Sequence, residues 1–241
     1  MQIREASSLK DLDEVALIQR EVWKVEDLEI TGRLHLKASQ YAGASILVAQ
    51  ASDGTIAGFA YAVPAFNRGE VYWHSDMLAV RSKYRSGRVG QSLKWSQREH
   101  ALRSGIRRIT WTFDPMQAGN AHLNLEILGV TVREYLSNFY GVTSSVLHHG
   151  MPTDRLLASW ELESPRVAAL SRGETPPSVE PLIRVTIPAW WNDIVNRDQY
   201  RALLEQRRVE TELTAAFARG LVIQGFDRPS TTYLLSRAGS Y

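Results

Sequence analysis

Apolar positions change their period repeatedly along this chain, and each change predicts an element. At the start, IREASSLKDLDEVALIQREVW passes from a short extended run through a polar turn into a stretch where Leu12, Val15, Leu17, Ile18 and Val22 recur at about helical spacing. Ser7 and Ser8 stand where they can cap that helix. A second, weaker helical stretch covers about residues 32–41. In SILVAQASDGTIAGFAYAVP two apolar runs rich in β-formers flank Asp53-Gly54, a dipeptide suited to the positive φ angles of a tight turn, which predicts hairpin strands at about 45–51 and 55–63.

The period of two returns in VYWHSDMLAV, residues 71–80, and in RRITWTF, 107–113. Between them a helix is expected over about 88–104, with Val89 and Leu93 on one side and Trp95 and Leu102 on another, a broad apolar surface suited to cover on more than one side. A strand, crossover helix and strand in that order imply parallel neighbours. Then follow a short helix near 119–128 and strands near 130–136 and 154–162. Residues 163–181 carry Pro165, Pro176, Pro177 and Pro181 and read as a surface connector with about one helical turn. Beyond lie a strand, LIRVTI, a long helix over about 192–219 with Val209, Leu213, Ala216 and Phe217 on one face, and a hairpin, LVIQGF and TTYLLS. The expected organisation is an α+β core at 1–162, a connector at 163–180 and an extension at 181–241, too small to bury much surface alone and therefore docked on the core.

Composition narrows the chemistry. The 241 residues are 44% hydrophobic and 22% charged, ordinary values for a globular protein. No run approaches the ~20 apolar residues of a membrane helix, and MQIREASSLKDLDE lacks the apolar core of a signal peptide, so no membrane partner and a cytoplasmic location are expected. The absence of cysteine removes disulfides, thiolate zinc sites and thiol intermediates. A net charge of +2 is too weak a bias to argue for nucleic acid, and the tryptophans are scattered rather than set as stacking platforms. His122 and the pair His148-His149 have no metal-ligand partner at helical spacing, and no metal is expected.

The segment HSDMLAVRSKYRSGRVGQSLKW carries the strongest chemical pattern. It runs from strand through a basic glycine turn into a helix, and such a turn gathers outward backbone N–H groups that favour an anion. Lys83, Arg85 and Arg88 supply charge and Gly87 and Gly90 allow close approach. The turn has neither the Gly-Lys-Ser/Thr of a triphosphate loop nor the spacing of a dinucleotide fingerprint, and a solvated basic helix start accounts for the same residues.

Over residues 1 to about 140 the element order, together with DMLAVRSKYRSGRVGQSL, resembles the GNAT acyltransferase superfamily. In its coenzyme A motif a basic residue or glutamine is followed by glycines three and five places on. Arg85 and Gly90 match the first and last of these, whereas the middle position is Arg88 and a glycine stands one place early, at Gly87. TFDPMQAGNAHLNLEILGVTVREYLSNFYG (112–141) and MPTDRLLASWEL (151–162) resemble a longer branch with a C-terminal extension, some of whose relatives are succinyl-CoA-dependent N-acyltransferases of amino acids.

The resemblance implies a mixed central sheet with helices on both faces, with the C-terminal strand, helix and hairpin as an addition. It implies acetyl-CoA or succinyl-CoA as co-substrate and acylation of a small-molecule amine, an amino acid among the candidates, by direct attack. Coenzyme A would be held by the backbone of Met77, Leu78, Ala79 and Val80, by Arg85, Ser86, Gly87, Arg88, Val89 and Gly90 at the turn, and by Asn120 and Asn124. His74 and Asp76 alternate on one strand and so face one side, where His74, with a normal pKa of ~6.5, serves as base. The tyrosine that many members place four residues before the motif's closing glycine is here Leu125, counted back from Gly129, which leaves Tyr140, with Tyr135 as substitute, for the acid. Arg133 or Arg155 would meet an acceptor carboxylate. A homodimer is compatible with this reading. The alternative is a GNAT-fold module, altered at the turn and lacking that tyrosine, that binds coenzyme A or a protein partner without turnover.

Overall fold

The computed structural model describes residues 1–67, 69–141, 143, 150–176 and 180–239, the side chain of Ser86 excepted. The pair His148-His149 lies outside the described residues. The chain forms two compact units, one of Met1–Thr110 and one of Trp111–Thr143 with the chain from Gly150 onward.

The first unit holds β1 (Gln2–Glu5), α1 (Leu9–Trp23), α2 (Arg33–Tyr41), β2 (Ser45–Gln50), β3 (Ile56–Asn67), β4 (Glu70–Val80), α3 (Val89–Arg103) and the start of β5 (Arg108–Phe113). Its strands lie in the order β1-β2-β3-β4-β5, each pair antiparallel except β4 and β5, which run parallel as the crossover requires. Alternation along β3 divides the core. Phe59 and Tyr61 join Leu12, Val15 and Ile18 of α1 and Leu36 of α2. Ala60, pointing the other way, joins Val89 and Leu93 of α3.

The start of α1 is a capping box. The Ser8 hydroxyl accepts the Asp11 N–H at 3.1 Å, and the Asp11 carboxylate accepts the N–H groups of Ser7 and Ser8 at 2.9 and 3.1 Å. Arg4 of β1 donates two hydrogen bonds to the same carboxylate, at 2.9 and 2.8 Å, so the cap also ties strand to helix. At the β2–β3 turn Gly54 takes a positive φ of 87° but Asp53 does not; the Asp53 carboxylate instead accepts the Thr55 N–H at 3.0 Å. The turn is therefore longer than a two-residue one.

The second unit continues β5 and adds α4 (Ala118–His122), β6 (Thr131–Leu136), β7 (Arg155–Glu161), α5 (Pro165–Ser171), β8 (Ile183–Thr186), α6 (Trp191–Arg197), α7 (Gln199–Ala218), β9 (Leu221–Asp227) and β10 (Thr232–Arg237). Strand order is β5-β7-β6-β9-β10-β8. Three expectations are corrected here. The long helix is two, because Asp198 turns extended (φ −151°) and its carboxylate caps α7 by accepting the Arg201 N–H at 2.9 Å. The connector holds a seven-residue helix, α5, begun by the Ser164 hydroxyl and Pro165. The helix near 119–128 widens into a π turn over Leu123–Ile127. Side chains take the carbonyls near that turn: Arg166 donates to Leu125 O at 2.9 Å and the Trp160 indole to Leu128 O at 2.6 Å.

Candidate active site

Strand β4 positions the candidate chemistry, and its irregularity decides how. Tyr61 is registered with Met77 and Val63 with His74, so Ser75 and Asp76 together oppose the single residue Ala62. This is a β-bulge, which re-aims side chains and twists the strand. Before it, Trp73 stacks edge-on against His100 of α3, and within it Ser75 bonds to Lys94 of α3. After it, Met77 and Ala79 have joined the α1–α2 core, and Leu78 and Val80 pack with α3. Trp73 and Ser75 turn to α3, whereas Asp76 lies near His35 of α2 and Met77 faces the α1–α2 core, so simple alternation is interrupted between Asp76 and Met77.

β4 also leaves its parallel neighbour. Its ladder with β5 has two registered pairs, Trp73↔Ile109 and His74↔Thr110, and among the described residues, 77–80 are registered with β3 alone. The Arg81 N–H donates to Ala57 O of β3 at 2.9 Å. Alternation then turns the N–H groups of Ala79 and Met77 towards β3, and those of Leu78 and Val80 away from it. Leu78 and Val80 are thus the donors that a ligand on that side would use.

The strand ends in a 3-10 turn, Ser82–Gly87, and α3 begins directly after Arg88. Among the described residues no side chain caps this helix, which leaves the N–H groups of its first turn, Val89, Gly90 and Gln91, turned outward. Arg88 itself sits in the left-handed region (φ 55°, ψ 20°), where a non-glycine residue is strained by about 1 kcal/mol. Gly87, one place earlier, is not among the residues with positive φ. Glycine and arginine are therefore transposed relative to the backbone's demand. A Cβ on Gly90 would lie 3.8 and 3.9 Å from Val80 and Leu78, distances the protein tolerates. The missing side chain keeps that surface open rather than relieving a clash. Arg85 folds back, its Nε donating to Val80 O at 3.1 Å.

His74 bonds through Nδ1 to the Thr110 hydroxyl at 2.9 Å. If Nδ1 carries the proton and donates, Nε2 is left with the lone pair that a base needs. Burial pushes the His74 imidazole below its usual pKa; Asp76 opposes the shift and Lys94 adds to it. Asp76 keeps solvent contact yet is crowded enough for desolvation to raise its carboxyl, opposed by His74 and by His35 of α2. The two groups are electrostatically coupled.

Asn120, Asn124 and Tyr140 belong to the second unit. Asn120 is exposed on α4, whereas Asn124 is buried in the π turn. The exposed Tyr140 shares a hydrogen bond with Thr112 at 3.0 Å, and Arg155 lies over its ring at 5.2 Å. Tyr135 donates to the buried Asp154 at 2.6 Å, and burial pushes its pKa far up, a poor acid by comparison. Arg133 is exposed. The His122 Nδ1 is buried without a partner. Among the described residues no three His, Asp or Glu side chains gather as metal ligands.

Residues 11–129 match the acetyltransferase (GNAT) family. Solved structures share the fold over about two thirds of the chain. The aminoglycoside 6'-acetyltransferase type Ii is 18% identical with a TM-score of 0.52, covering 67% of this chain and 97% of its own. The phosphinothricin acetyltransferase from Sinorhizobium meliloti, in complex with AcCoA, is 19% identical with a TM-score of 0.54, covering 66% and 86%. The ribosomal-protein-S18-alanine N-acetyltransferase from Escherichia coli is 14% identical with a TM-score of 0.53, covering 67% and 93%. No curated protein sequence matches the chain.

Lys94, Ser75, Gln97 and Thr110 surround the GNAT segment's bulge and ladder end but escaped the sequence reading. The signal for two of them was present: Val89, Leu93, Gln97 and Ala101 recur every four residues, so a polar Gln97 inside an apolar stripe, with Lys94 beside it, marks a buried polar pair.

Proposed function

We propose that this protein transfers an acyl group from a coenzyme A thioester to the amine of a small molecule. The observation that carries the reading is β4 itself: after His74 it leaves β5, presents Leu78 and Val80 N–H groups, and runs into an uncapped helix start. An extended pantetheine arm needs backbone partners along its length, and the pyrophosphate needs clustered N–H groups. The GNAT match of residues 11–129 and the AcCoA complex of a structural relative support the same reading.

In the proposed reaction the amine nitrogen attacks the thioester carbonyl and the C–S bond breaks. Backbone N–H groups on β4 stabilise the oxyanion, a contribution of about 3 kcal/mol for one well-placed donor. His74 takes the amine proton, directly or through water, and Asp76 steadies the imidazolium that results. Tyr140 is our candidate proton donor to the departing thiolate; Asn120 and Asn124 are candidates for the pantetheine arm. The acceptor we favour is an amino acid, with Arg133 or Arg155 for its carboxylate, and the donor acetyl-CoA or succinyl-CoA.

Free-thiol release, measured with acetyl-CoA and succinyl-CoA in parallel against D- and L-amino acids and simple amines, tests the reading. Amine-dependent release with one donor is expected. Tight coenzyme A binding without release would replace it with a binding module, and absence of binding would remove both.

A further inference from the structure

Lys94 occupies a place where a lysine is costly. It is 2% exposed on α3, and burial alone holds its amine well below the usual lysine pKa. Its helical neighbours Val89 and Leu93 belong to an apolar cluster with Leu78 and Val80 of β4. A methionine would fill the same volume without the desolvation cost of the amine, at the expense of the hydrogen bonds the amine donates.

The amine meets the strand where the strand is irregular. Lys94 Nζ donates to the Ser75 hydroxyl at 3.0 Å and to Gln97 Oε1 at 3.0 Å. Ser75 is one of the two bulged residues of β4 and is itself buried. Gln97 is fully buried, and its Nε2 has no partner. Three buried polar side chains thus converge on one point, with apolar packing on the α3 side of the strand after the bulge. Residues immediately before and after Ser75 are His74 and Asp76, and Leu78 follows the bulge.

Resting on the acyl-transfer reading above, we propose that Lys94 is a positioning residue: through Ser75 it pins the β4 bulge from the α3 side, and so fixes the direction of His74 and Asp76. It touches no reacting atom.

The test is a set of variants measured for thiol release, for coenzyme A affinity and for thermal stability. Lys94→Met keeps the shape and removes the donor; Ser75→Ala removes the acceptor; Ser75→Thr restores a hydroxyl. Expected are a kcat lower by about tenfold or more in K94M and S75A, since small misplacements of reacting groups cost that much. KM for the acyl-CoA and coenzyme A affinity stay within about twofold, as uniform binding is untouched. S75T recovers turnover, the K94M/S75A double variant is no worse than K94M alone, and K94M stays folded at the assay temperature. Wild-type kcat in K94M, or parallel loss of coenzyme A affinity and melting temperature, overturns the proposal. If the wild type releases no thiol with any amine, the acyl-transfer reading fails instead. The pinning is then read from backbone amide NMR shifts of Asp76, Met77 and Leu78 in K94M: their movement supports it, and unchanged shifts overturn it.

Discussion

His74 is a base candidate because its burial favours the neutral imidazole. Burial lowers its pKa from 6.5, with Asp76 opposing and Lys94 assisting. A lowered pKa means that the neutral form persists further into acid, so the acid limb of a kcat/KM profile should have its midpoint below 6.5. His74→Gln should lose turnover by about a hundredfold or more while keeping coenzyme A affinity, both read from the thiol assay and calorimetry. An acid limb unchanged in H74Q would assign the base elsewhere. Arg88 is the other residue whose conformation has a consequence. Relief of its left-handed strain should make Arg88→Gly about 1 kcal/mol more stable, a rise of a few degrees in Tm by calorimetry. Coenzyme A affinity should fall by no more than about threefold, because the donors at the helix start are backbone N–H groups. A large loss would show that the Arg88 guanidinium itself holds phosphate.

Among the elements, α1 and β4 contrast in how far local residues determine them. The α1 start is local: Ser8 and Asp11 lie three apart and cap each other. Arg4 and the Ser7 and Ser8 N–H groups hold the Asp11 carboxyl well below the usual carboxylate range. A carboxyl whose folded pKa is depressed adds stability above its unfolded value of ~3.9, and that stability is lost as pH falls further. Asp11→Asn should cost about 1–2 kcal/mol at pH 7. It should also flatten the decline of Tm below about pH 4, measured by melts across pH. The β4 bulge has no such local signature. It arises because Tyr61 and Met77 share one core face while Ser75 is taken by Lys94, a demand set by two other elements. Likewise the break between α6 and α7 turns on Asp198, whose carboxylate caps α7 within a stretch read as one helix.

Whole-molecule behaviour follows from the second unit being one sheet. β6, next to the GNAT segment in sequence, is paired with β7 on one side and with β9 on the other. Tyr233 of β10 donates to Pro115 O at 2.7 Å, and the Glu126 carboxylate accepts the Phe226 N–H at 2.6 Å. A chain ending at residue 180 would expose β6 as an edge and uncover Val132, Leu125 and Leu128, all fully buried now. Such a truncation should aggregate or be cleaved within residues 111–162 under limited proteolysis, whereas the full chain resists. Equal resistance would mean that residues 111–162 hold together without β8 to β10.

Alternation, cap residues and glycine turns let the sequence determine most strands and helices of the first unit, the parallel β4–β5 pair and the glycine turn that leads into α3. These depend on neighbours within a few residues, or on a period that one helix or strand expresses by itself. The residues about the bulge, the buried Lys94 and the outward Leu78 and Val80 donors were decided only in the tertiary structure. Each depends on which face a remote helix covers and where a neighbouring strand ceases to pair, and no local period carries that information.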